Sequence, residues 1–63
     1  MHAMTVELVS VTPAAEAGQV LARGRATVTD AQARIWIELT FQPQRSNVWD
    51  EAYDRLLALL DIA

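Results

Sequence analysis

The stretch QVLARGRATVTDAQARIWIELTFQ, residues 19–42, decides the fold, because it holds two runs that alternate with period two and mirror one another. In the first run Val20, Ala22, Gly24, Ala26 and Val28 share a side; in the second Ile35, Ile37, Leu39 and Phe41 do. Such alternation is the mark of a strand with one buried face. A turn over Asp30–Ala33 makes the two runs a hairpin, with Val28 opposite Ile35, Ala26 opposite Ile37, Gly24 opposite Leu39 and Ala22 opposite Phe41. The same register sets Arg25 against Glu38 on the other face, a favourable cross-strand pair. A slip of one residue would bury Arg23 and Arg25, so the faces hold even where the register is displaced by two.

Upstream, Thr5–Thr12 is rich in valine and threonine and stops at Pro13, which has no backbone donor for a ladder. This run is apolar on both sides. Val6, Leu8 and Ser10 are expected inward, Val9 and Val11 outward, and Glu7 opposite Arg23. Pro13–Gly18 forms the connecting turn, with Gly18 free to take a positive φ.

Downstream, Pro43 ends the sheet, and Ser46 and Asn47 are both suited to cap a helix. Asp50 and Glu51 follow in the first turn, where the helix dipole favours negative charge. Trp49, Ala52, Tyr53, Leu56, Leu57 and Leu60 then recur at helical spacing, which predicts a helix over Val48–Leu60 with one apolar stripe. Glu51 and Arg55 stand in the favourable order four residues apart. The fold class is therefore α+β: a three-stranded antiparallel β-meander followed by one C-terminal α-helix (βββα) packed on one face, a single domain over residues 1–63. Met4 is an alternative start, which would leave residues 1–3 outside the fold. The small residues Ala22, Gly24 and Ala26 are expected to let Trp49 and the leucines approach the sheet closely.

Composition narrows the chemistry. A chain of 63 residues lies near the lower limit for a self-sufficient core, and without cysteine no disulfide can support it. The sole histidine is His2, and Asp50, Glu51 and Asp54 are explained as a solvated acidic start to the helix, so no metal is expected. Self-association is the remaining common support. The formal charge is −3, with eight carboxylates against five arginines, which argues against nucleic acid as a partner. Arg23 and Arg25 could meet phosphates, but Glu7 and Glu38 flank them. Asp50, Asp54 and Asp61 make too thin a ladder to imitate one. No apolar run has the length of a membrane span and no leader precedes a cleavage site, so a cytoplasmic protein is expected.

No catalytic set emerges. Ser10 and Ser46 have no histidine within the fold to activate them, and Ser46 is explained as a helix cap. Both glycines stand alone, so no phosphate loop exists, and no cofactor or small-molecule substrate is implied. Glu7 and Glu38 on a flat outer face read as surface ion pairs and not as an acid–base couple. The expectation is a non-enzymatic protein-interaction module, homodimeric or bound to a protein partner, acting as accessory factor, adaptor or inhibitor. A structural subunit of a larger particle is the alternative. Its contact surface is expected on the sheet face left bare by the helix: Trp36 as anchor, Leu21, Val9 and Val11 as apolar support, and Arg23, Arg25 and Glu38 between them, with Val48, Leu59 and Ile62 beside the helix stripe as an extension. An exposed edge of the first or third strand pairing with its twin is the alternative contact.

Overall fold

The computed structural model describes residues 4–60. Three strands, β1 (Met4–Pro13), β2 (Val20–Val28) and β3 (Ala33–Phe41), precede one helix, α1 (Val48–Leu60). The sheet is antiparallel with order β1-β2-β3, and α1 lies on one of its faces, so the βββα expectation is met.

The β2–β3 register differs from the expected one by two residues. Gly24 faces Ile37, Ala26 faces Ile35, Ala22 faces Leu39 and Val20 faces Phe41. The faces are unchanged, as the period of two requires. The displacement originates in the turn. It spans Thr29–Gln32, one residue earlier than expected, with the Gln32 N–H donating to the Thr29 carbonyl and Gln32 at φ 52°. A left-handed glutamine is not signalled by sequence, since glycine or asparagine ordinarily marks such positions.

β1 resolves its two-sided pattern with a bulge. Glu7 faces Arg25 and Leu8 faces Gly24, but Ser10 faces Arg23, so the pairing shifts by one across Val9. Val6 and Leu8 point inward before the bulge, and Val11, opposite Ala22, points inward after it. This corrects the expected faces of Ser10 and Val11: Ser10 is opposite Arg23 on the outer side, and Val11 packs against the core. The β1–β2 connection behaves as read. Gln19 donates its N–H to the Glu16 carbonyl across Gly18 at φ 82°, the geometry of a turn that needs a positive φ at its third residue.

The core is small: Ala22, Phe41 and Ala52 form its buried centre, with Leu8, Val11, Val20, Leu39 and Val48 packed around it. Leu56 is fully buried. A Cβ placed on Gly24 would lie 2.7 Å from Leu56 Cδ1 and 2.8 Å from the Glu7 carbonyl oxygen, so the absence of a side chain is what admits the helix here.

The helix has the expected limits but is turned about its axis by roughly a quarter turn from the expected stripe. Its buried residues are Glu51, Ala52 and Leu56, whereas Trp49, Tyr53 and Leu57 are substantially exposed. Glu51 explains the rotation. Its Oε1 accepts the N–H groups of Gln44 (2.8 Å) and Arg45 (2.9 Å), and its Oε2 accepts from Arg55 (3.0 Å), which ties the β3–α1 loop to the first turn. The cap is Asn47, whose Oδ1 accepts the Asp50 N–H at 3.2 Å, and not Ser46.

Candidate protein-interaction surface

Among the described residues the outer sheet face has no second layer. Because alternate residues of each strand face outward, Glu7, Ser10 and Thr12 of β1, Leu21, Arg23 and Arg25 of β2, and Trp36 and Glu38 of β3 share it. Glu7 pairs with Arg25, and Arg23 with Glu38 at 3.3 Å. The same four charges were expected to pair in the other order, Glu7 with Arg23 and Arg25 with Glu38. Both orders satisfy charge and face, which is why sequence could not separate them.

Trp36 lies opposite Arg25 and remains 58% exposed. The guanidinium carbons of Arg23 and Arg25 sit 5.1 Å and 5.7 Å from its ring centre. Both guanidinium groups thus stand over the indole ring within cation–π range, and each is paired with a carboxylate. The result is an exposed aromatic ring on an open sheet, with the charge of its two arginines nearly cancelled.

The expected interface residues are only partly brought together. Trp36, Arg23, Arg25 and Glu38 form one cluster. Leu21 faces Thr40 and Thr12, about 13 Å along β2 from the residue opposite Trp36, and Val9 is exposed within the bulge. Val11 belongs to the inner layer.

Several features escaped the sequence reading. Arg34, on the outer side of β3, is the one arginine without an ion pair among the described residues; the other four each hold a carboxylate. Ile35, on the inner side of β3, is 50% exposed because α1 leans toward β1. Along the helix, Trp49, Tyr53 and Leu57 recur every four residues as an exposed row, and Leu57 borders a groove with Met4, Val6 and Leu60. Arg55 lies 4.8 Å from the Phe41 ring while bonded to Glu51, so the buried acid has a complete set of partners. Burial raises the Glu51 pKa, but the Arg45 and Gln44 N–H groups and the Arg55 guanidinium outweigh it and hold the carboxyl below its ordinary range.

No group of three or more metal-binding side chains occurs among the described residues, and no helix there is long and apolar enough to cross a membrane. His2, Asp61 and Ile62 lie outside the described residues. Comparison with protein-family models, curated proteins and solved structures found no match, so the surface is read from its own geometry.

Proposed function

We propose that this chain is a non-enzymatic protein-interaction module that forms a homodimer and acts as an accessory factor, adaptor or inhibitor in the cytoplasm. The observation that carries the reading is Trp36, more than half exposed on the outer sheet face with the guanidinium groups of Arg23 and Arg25 over its ring. Aromatic residues pre-set in this way bind at low entropic cost, because little side-chain freedom is left to lose. The small core supports the same reading, since burial of Ile35 and Trp36 against another chain adds apolar area that the single helix cannot supply. Nucleic acid is a poorer occupant: Arg23 and Arg25 are neutralised by Glu38 and Glu7, and the formal charge is −3. A cysteine-free chain is compatible with the reducing cytoplasm.

Equilibrium sedimentation of the wild type and of Trp36→Glu tests the reading. The introduced carboxylate would sit beside two arginines, so the fold should persist while association is lost. A wild-type monomer at high micromolar concentration would overturn the homodimer. One observation favours the alternative of an assembly subunit: apolar surfaces occur on both layers, Trp36 on the sheet and Trp49, Tyr53 and Leu57 on the helix. A subunit with two such surfaces could contact two neighbours, and mass that grows continuously with concentration would select this reading.

A further inference from the structure

The two edges of the sheet are not alike. β1 is interrupted by the bulge at Val9, ends in Pro13 and has the helix leaning over it. These are devices that discourage another strand from adding to an edge. β3 has none of them. It pairs with β2 without a break from Ala33 to Phe41, contains no proline or lysine, and is built of strong strand formers. As the last strand of the order β1-β2-β3, it presents along its free side the backbone groups that point away from β2. Its two most exposed apolar residues, Ile35 and Trp36, lie on opposite faces, so a partner lying flat on either face would cover only one of them. A partner strand alongside β3 borders both.

Resting on the homodimer reading, we propose that β3 pairs antiparallel with β3 of a second copy, about a two-fold axis through Trp36, to make a continuous six-stranded sheet. Charge selects this register. With Trp36 at the axis, Arg34 faces Glu38 of the second copy, and Glu38 faces its Arg34, so two opposite-charge pairs form on the outer face. Centring on Ile35 or Ile37 sets Arg34 against Trp36 or Thr40 and forms no such pair. Centring on Arg34 or Glu38 opposes like charges. Arg34 is the one arginine without a carboxylate among the described residues, and the proposed register supplies it. On the inner face the same register sets Ile35 opposite Ile37 of the second copy. A two-fold axis normal to the sheet places both helices on one side, each leaning away from the seam toward its own β1.

Charge reversal separates this arrangement from a dimer formed face to face. Arg34→Glu has no ion pair of its own to lose among the described residues, yet in the proposed seam it opposes Glu38 twice. Its dimer dissociation constant is expected to rise about tenfold or more, and that of Glu38→Arg likewise. An equimolar mixture of the two variants restores attraction at both pairs and should associate as heterodimer about tenfold more tightly than either variant with itself, a comparison that already includes the loss of the Arg23–Glu38 pair within Glu38→Arg. The double variant Arg34→Glu/Glu38→Arg should recover homodimer in the same way. A wild-type dimer whose mass is unaffected by Arg34→Glu, or a mixture that fails to recover, refutes the seam while leaving the homodimer standing. A monomeric wild type refutes the homodimer itself.

Discussion

Gly24→Ala tests the account of how the helix reaches the sheet. In a strand interior alanine is ordinarily better than glycine by about 0.5–1 kcal/mol, because glycine loses more backbone freedom on folding. Here the added methyl would stand 2.7 Å from Leu56 Cδ1 and 2.8 Å from the Glu7 carbonyl oxygen. Leu56 is fully buried, and the Glu7 carbonyl is backbone held in the ladder opposite Arg25 beside the bulge, so no side-chain rotation relieves the second contact. Because one of the two atoms met is backbone, the overpacking cost falls in the upper part of its usual range, about 2–3 kcal/mol, which exceeds the propensity gain and leaves a net loss of about 1–2.5 kcal/mol. For a domain of this size the melting temperature should fall by about 5–15 °C at fixed protein concentration. Thermal and urea unfolding followed by circular dichroism measure it. The double variant Gly24→Ala/Leu56→Ala should be less destabilised than the sum of the two singles, because the methyl then enters space that Leu56 vacated. Gly24→Ala with unchanged or raised stability would refute the close approach of α1 to β2.

Leu56→Ala alone should cost about 2–5 kcal/mol, enough to unfold most of the population, and a melting temperature within a few degrees of wild type would remove Leu56 from the core. Gly18→Ala should also destabilise, by about 1 kcal/mol, for a different reason: nothing lies within 4 Å of the added methyl, but φ of 82° strains any side chain. For Glu51 the folded pKa lies below its unfolded value, so its stabilisation is complete above the unfolded pKa and is lost as pH falls through the folded one. Glu51→Gln should therefore melt below wild type at neutral pH, with the gap narrowing as pH drops beneath the ordinary glutamate range; a gap independent of pH would deny that the ionised form is the one the loop binds.

The faces of β2 and β3 were legible because Arg23 and Arg25 could not be buried and the alternation admitted one solution. Their register was not, since Glu38 can serve either arginine and the deciding feature is a left-handed Gln32 that carries no signature. In β1 the apolar residues on both sides were themselves the mark of a bulge: Val6 and Leu8 fit one face, Val11 fits it again only with one residue skipped. The limits of α1 followed from its cap and first-turn acids. Its rotation did not, because a stripe of apolar positions gives no weight to a glutamate whose partners are the N–H groups of a preceding loop. For the candidate surface, Trp36 and its charged neighbours were legible from strand parity, whereas the inequality of the two sheet edges depends on the bulge and on the lean of the helix.

A dilution series of the wild type, melted across about two decades of concentration, tests the claim of a small core completed by a second copy most directly. The account predicts a melting temperature that rises with concentration, together with a mass that moves from monomer to dimer over the same range. A melting temperature that stays constant while the mass remains that of a monomer would contradict it.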